Sequence, residues 1–243
     1  MPGRDEIAKE LLDEMLPENP EDAVRFLEDL NILLMRYDSA IREVRTKLEI
    51  LNDELSMTSP QSPIASIASR RKKASSIFEK LKRQGDELSL KSIEDNLNDV
   101  AGVRVICSFV DDIYKVAKML VQQDDISLIQ IKDYIQNPKP NGYRSYHMII
   151  EVPVFFSSEK RPMRCEVQIR TTAMDFWASL EHQMKYKQDV ENADEIIGEL
   201  KQCADTIAAT DMKMLEIRKK IEKNRAAREA RELIEAQLQQ VTK

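Results

Sequence analysis

Two stretches of the chain hold residues whose types and spacing suit phosphate and nucleotide chemistry. RRKKASSIFEKLKR, residues 70–83, carries seven basic residues and one acid inside a chain of formal net charge −6. Such a local concentration of positive charge asks for an anionic partner. Read as one helix, the stretch sets Lys72, Ser76 and Lys80 at i, i+4 and i+8 on one face, near a helix N-terminus whose free amides also favour phosphate. That row would accommodate a triphosphate. A solvated basic face or an RNA-binding patch would have the same composition.

The second stretch is NPKPNGYRSYH, residues 137–147, with two prolines, an Asn-Gly turn, two tyrosines and one of the two histidines of the chain. Prolines restrict a loop and lower the entropic cost of positioning its side chains, here Lys139, Asn141 and Tyr143. The residues that follow, YHMIIEVPVFF and then MRCEVQIR, read as a β-hairpin. Side chains alternate across a strand, so Glu166, Gln168 and Arg170 lie opposite Cys165, Val167 and Ile169. If the apolar sets of both strands face one core, Glu166, Gln168 and Arg170 share a polar face with Ser145 and His147. A solvated outer face would alternate in the same way. Asp99, just before GVRVIC, is a second carboxylate expected to approach Glu166 across the sheet. Two carboxylates completed by water and phosphate oxygens make an ordinary site for Mg²⁺, an ion seldom caged by protein alone.

The elements that must position these groups follow from pattern. Charged residues make up 33% and aromatics 5%, with five glycines in 243 residues, a balance that favours long helices over an all-β fold. Asn19-Pro20-Glu21-Asp22 marks a helix start, and Leu27, Leu30, Leu34, Tyr37, Ile41, Val44, Leu48, Leu51 and Leu55 then form a heptad seam. That seam suits either the protein's own core or a second subunit. SMTSPQSP, residues 56–63, should end the helix as a hinge or loop. Helices near 74–83, 92–97 and 111–122 alternate with apolar runs at 102–110 and 126–132 that read as strands. Helix returns after Thr172, with Leu200, Ile207, Met214 and Ile221 seven apart, and then a charged, exposed stretch. The fold class is α+β: a mixed sheet of about four to five strands in a helical frame. The expected division is an N-terminal helical segment over 1–60 for oligomerisation or packing, a catalytic domain over 61–190, and a helical extension over 191–243.

Cys107, Cys165 and Cys203 form no C-x-x-C pair and read as buried free thiols in a reducing cytosol. No apolar run approaches the roughly 18 residues a membrane span needs, so a cytoplasmic protein without a membrane partner is expected.

Five ordered motifs together resemble the RelA/SpoT family, and in particular its small alarmone synthetases. They are R-x-K-x-x-x-S-I-x-x-K at 70–80, DVAGVRVIC at 99–107, KDYIQNPKPNGYRSYH at 132–147, EVQIRT at 166–171 and MDFWASLEHQMKYK at 174–187. The resemblance spans roughly residues 65–190 and implies a nucleotidyltransferase-like synthetase core. It implies adenine of ATP held between Arg70 and Arg104, ATP phosphates on Lys72, Ser76 and Lys80, and Mg²⁺ on Asp99 and Glu166. Tyr143 matches the family's guanine-stacking tyrosine, and Lys139, Asn141, His147 and Gln168 match positions around the GDP or GTP acceptor.

The implied reaction moves the β,γ-pyrophosphate of ATP to the ribose 3′-hydroxyl of GDP or GTP, giving ppGpp or pppGpp and AMP. Glu166 is expected to help deprotonate that hydroxyl as well. The family's hydrolase carries a His-Asp metal motif, whereas neither His147 nor His182 is followed by Asp, so synthesis without degradation is expected. The resemblance also implies a homotetramer held by terminal helices, with control by expression or by ligands such as (p)ppGpp or single-stranded RNA. Gln130 stands where many relatives have arginine, which bears on the acceptor-phosphate contacts. Two rival readings are a toxin-like pyrophosphokinase acting on adenosine nucleotides or tRNA 3′ ends, and an RNA-binding module with a vestigial site.

Overall fold

The computed structural model describes residues 16–58, 62–185 and 193–241. The charged N-terminal segment 1–15, the centre of the expected hinge at 59–61 and the last two residues of the 174–187 motif lie outside the described residues.

Helix α1, Pro20–Thr58, begins as its sequence demands: the Asn19 side chain accepts the Glu21 amide at 3.1 Å, with Glu21 and Asp22 in the first turn. Its seam is buried from Leu30 to Leu55, against strands of the chain's own sheet. Between the two partners open to this seam, the structure therefore uses the intramolecular one.

The sheet holds β1 (Ile64–Arg71), β2 (Ala101–Cys107), β3 (Ser127–Asp133), β4 (Tyr146–Phe155) and β5 (Lys160–Thr171). Its order is β1-β2-β5-β4-β3, with β2 and β5 parallel at the centre and the other neighbours antiparallel. Helix α4, Val110–Val121, crosses over the face that α1 covers, and its Ile113, Val116 and Leu120 join Val103, Val105, Val167, Ile169, Met148 and Ile150 in one core. Burying one face of β2, β4 and β5 in this way fixes their register, because a one-residue slip would turn each apolar set outward, whereas the edge strand β3 is exposed along almost all its length.

Strand β1 corrects the sequence reading. Arg70 and Arg71 belong to a strand, Lys72 follows it with its amide on the Val100 carbonyl at 2.8 Å, and helix α2 begins at Ala74. Lys72, Ser76 and Lys80 therefore do not form one helical row. Pairing with β2 outweighs the weak local preference of IASIASRR, which carries too little alternation to announce a strand. Helix α2, Ala74–Gln84, stops at Gly85, whose φ of 76° places it in the left-handed region with its amide on the Leu81 and Lys82 carbonyls. A short helix α3, Leu90–Asn96, leads into β2.

Helix α5, Thr172–Lys185, follows β5 directly, and helix α6, Ala193–Val241, packs back on it. The residues of α6 that meet the body include Leu200, Ala204, Ile207, Asp211, Leu215 and Arg218, while Met214 and Ile221 of the seven-residue spacing are 52% and 62% exposed. A straight helix turns every 3.6 residues, so a strict sevenfold spacing drifts off a contact face that the true period follows. Cys107 and Cys165 are buried as expected, but Cys203 is exposed on α6. Among the described residues no helix is long and apolar enough to cross a membrane.

Candidate active site

The register of the sheet builds the site on the face opposite the core. Arg70 pairs with Gly102 and Ala68 with Arg104; Gly102 pairs with Glu166, Arg104 with Gln168 and Ile106 with Arg170; Gln168 pairs with His147, and His147 with Lys132. Partners in register share a face. One face across the five strands therefore carries Arg70 and Glu166 in one cross-strand row, Arg104, Gln168, His147 and Lys132 in the next, and Arg170 beyond, and the polar face inferred from alternation is present.

At the β1 and β2 end, Arg70, Lys72, Asp99, Arg104, Glu166 and Gln168 line an open cavity of ≈ 270 Å³. Asp99 accepts from Lys72 Nζ at 2.6 Å and from Lys80 Nζ at 2.8 Å. Burial alone would raise its pKa, but the two ammonium groups together hold the carboxyl below its ordinary value. Ser76 sits in the first turn of α2 and is not among the residues lining the cavity. Lys73 offers no side-chain cap to that turn, so its orphan amides keep their capacity for an anion.

Glu166 lies between the two ends of this face, on the central strand β5. His147 Nδ1 lies 3.0 Å from its Oε1, and Gln168 Nε2 donates to its Oε2 at 2.8 Å. Burial pushes its pKa up, yet the partners, His147 first, bring it below the usual range. The two carboxylates thus border one cavity, each held by donors of the protein itself. No group of three or more metal-ligating side chains exists among the described residues. Two acids on a cavity also lined by Arg70, Lys72 and Arg104 would suit Mg²⁺, which takes its remaining ligands from water and phosphate.

The other end of this face is aromatic. Tyr143 OH sits 2.9 Å from His147 Nε2 and accepts from Arg170 Nη2 at 2.6 Å, while Tyr134 packs edge-on against both Tyr143 and His147. Lys139 Nζ lies 4.8 Å from the ring centroids of both tyrosines. The Asn141 side chain serves the loop: Oδ1 accepts the Tyr143 amide at 3.2 Å and Nδ2 donates to Glu181 at 3.0 Å. Gly142, at φ 87°, makes the turn beneath α6, where an added Cβ would lie 2.5 Å from the Ala204 Cβ. Arg144 completes the clasp, donating to the Gly142 carbonyl and to Asp205 of α6.

Every residue named for the site from sequence therefore falls on this face, its two flanking loops or the adjoining helix α2. The loop residues Tyr134 and Arg144 and the α5 acids Asp175 and Glu181 were missed. All four stood inside quoted motifs, but nothing in their spacing tied them to Tyr143 or Arg170.

Comparison with known proteins agrees with this layout. Residues 69–191 match the family described as a region found in RelA/SpoT proteins. The chain is 42% identical over 202 residues to the GTP pyrophosphokinase YwaC of Bacillus subtilis (strain 168), covering 83% of this chain and 96% of that protein. Its fold is similar to the crystal structure of small alarmone synthetase 1 from Bacillus subtilis bound to its product pppGpp, with TM-score 0.73, 33% identity and coverage of 80% and 99% of the two chains. The same synthetase bound to AMPCPP matches with TM-score 0.68, 31% identity and coverage of 81% and 99%. The chain belongs to the RelA/SpoT family and corresponds over most of its length to the small alarmone synthetases within it.

Proposed function

We infer that the protein is a GTP pyrophosphokinase that moves the β,γ-pyrophosphate of ATP onto the ribose 3′-hydroxyl of GDP or GTP. The observation that carries this reading is the chain of contacts in which Lys72 and Lys80 hold Asp99, Asp99 and Glu166 border one cavity, and His147 bridges Glu166 and Tyr143. It sets a cationic, acid-edged cavity for a polyphosphate beside a restrained tyrosine loop for a base, as a transfer between two nucleotides requires.

In this reading Arg70 and Arg104 flank the adenine, and Lys72, Lys80 and the N-terminal turn of α2 at Ser76 take the phosphates. Lys72 and Lys80 must exchange Asp99 for phosphate oxygens as ATP enters, which frees that carboxylate. Asp99 and Glu166 would hold Mg²⁺, which supplies neutralisation of the phosphate charge. Tyr143 stacks on guanine, with Lys139, Asn141, His147 and Gln168 shaping the acceptor subsite. Glu166, ionised because its partners outweigh its burial, takes the 3′-hydroxyl proton while His147 and Gln168 hold its oxygens in place.

The same proposal includes a cytoplasmic homotetramer and regulation by (p)ppGpp or single-stranded RNA. With the α1 seam buried against the sheet, subunit contacts would have to use other surfaces; light scattering behind size-exclusion chromatography measures the assembly.

The test is incubation with Mg²⁺, ATP labelled on its terminal phosphate, and separately GDP, GTP, GMP or uncharged tRNA. Label on GDP or GTP with one AMP released per transfer is expected. Label on tRNA alone, or on no acceptor, would overturn the reading.

A further inference from the structure

The motif MDFWASLEHQMKYK contributes an acid, Asp175, to which neither subsite lays sole claim. It stands in the first turn of α5, where a carboxylate is favoured by the exposed amides, and α5 follows β5 without an intervening loop. Thr171 Oγ1 accepts the Met174 amide at 3.1 Å and fixes that junction. Asp175 is therefore held rigidly relative to the strand that carries Glu166, Gln168 and Arg170.

Its Oδ1 accepts from two guanidinium groups at once, Arg170 Nη1 at 3.1 Å and Arg104 Nη1 at 3.4 Å. Arg170 is buried, and its planar fork is fully engaged: Nε on Ser145, Nη2 on Tyr143 OH and Gln168 Oε1, with the guanidinium 5.1 Å from the Tyr143 ring centroid. A guanidinium cannot turn one arm without moving the others, so a displacement at Asp175 reaches Tyr143. Arg104 is the looser partner. It lines the donor cavity, its side chain is 39% exposed, and its buried Nε has no hydrogen-bond partner.

We propose that Asp175 is a positioning residue that links the donor cavity to the acceptor loop, because one carboxylate oxygen is shared between Arg104 and the Arg170 that holds Tyr143. The proposal rests on the nucleotide assignment above. A donor nucleotide that draws Arg104 onto itself leaves Asp175 to Arg170 alone, which tightens the fork on Tyr143 and Gln168. Donor and acceptor then bind with positive coupling, and reciprocity requires each to strengthen the other equally.

Calorimetric titration with GDP, in the presence and absence of saturating AMPCPP, tests this. In the wild-type protein AMPCPP should tighten GDP about fivefold or more, and GDP should tighten AMPCPP by the same factor. In Asp175→Asn the ratio should fall to within about twofold while each nucleotide alone still binds, and Asp175→Glu should restore part of it. A purely structural role would weaken both nucleotides and leave the ratio unchanged; that result, or absence of coupling in the wild type, overturns the inference. Should Asp175→Asn fail to fold, the unmodified protein still decides. The Arg170 Nε–H resonance, assigned by its loss in Arg170→Lys, should shift on adding AMPCPP alone, and an unmoved resonance overturns the link. A wild-type protein that binds neither nucleotide instead overturns the assignment beneath it.

Discussion

The donor and acceptor ends of the site are built on opposite principles. At the donor end, Lys72 and Lys80 form ion pairs with Asp99, and Lys72, Asp99, Arg70 and Arg104 open onto a cavity. At the acceptor end, Lys139, Tyr134, Tyr143 and His147 stack in a loop that α6 covers through Gly142, Ala204, Arg144 and Asp205. Charges that pair internally can be exchanged for those of an incoming phosphate, so the donor end need not be wrapped. A base-stacking surface has no such exchange to perform and gains from being fixed before the ligand arrives.

Four changes would break or sharpen this contrast. The largest effect is expected at the point where the two ends meet: Glu166→Gln should lower kcat by about 10²-fold or more. Label transfer measures it, and turnover near that of the wild type would remove Glu166 from both its metal and its base role. Next, Tyr143→Ala should weaken GDP by the loss of one stacked base, about 1–3 kcal/mol or roughly 5- to 150-fold in KM. AMPCPP affinity measured without GDP should stay near the wild-type value, and an equal loss on both nucleotides would erase the distinction between the two ends.

Gly142→Ala probes the cover itself. It combines a left-handed backbone with a Cβ only 2.5 Å from that of Ala204, and overpacking of this kind costs about 1–3 kcal/mol. A raised KM for the acceptor and a lowered Tm are expected, and adding Ala204→Gly should recover part of the KM, since it removes the Ala204 Cβ but leaves the Lys201 Cα at 3.2 Å and the backbone strain. A Gly142→Ala protein with unchanged KM would mean that α6 does not hold the loop.

The smallest effect is electrostatic. Asp211 of α6 is buried, which raises its pKa despite the hydrogen bond from Thr171. A folded-state pKa above the unfolded value means that this carboxyl's stabilising contribution is present below the unfolded pKa and is lost as pH rises through the folded one. Asp211→Asn should therefore match or exceed the wild-type Tm at neutral pH, with the difference closing as pH falls to about 4. Thermal melts across that range check it, and a variant less stable at neutral pH than at acid pH relative to wild type would reverse the sign.

Much of this arrangement was legible in the chain alone, because it rests on periods. Alternation in EVQIR and YRSYH placed Glu166, Gln168, Arg170, Ser145 and His147 on one face before any coordinates, and the cap at Asn19 with its acids marked the start of α1. Strand β1 was not legible. IASIASRR has little alternation of its own, and its state is decided by β2 beside it, so Lys72 was read into a helix it only precedes. The heptad seam was legible as a seam but not as to its partner, since an apolar stripe has the same appearance whether a sheet or another subunit covers it.

The asymmetry has a physical source. Local sequence determines what repeats along one element: which side of a strand is polar, where a helix begins, which loop is stiffened by prolines. Only the tertiary structure decides what is shared between elements distant in sequence. The pairing of Lys72 and Lys80 with Asp99, the sharing of one Asp175 oxygen by Arg104 and Arg170, and the fit of Ala204 over Gly142 all depend on which strands become neighbours, and that choice is made by burial of the whole core rather than by any segment within it.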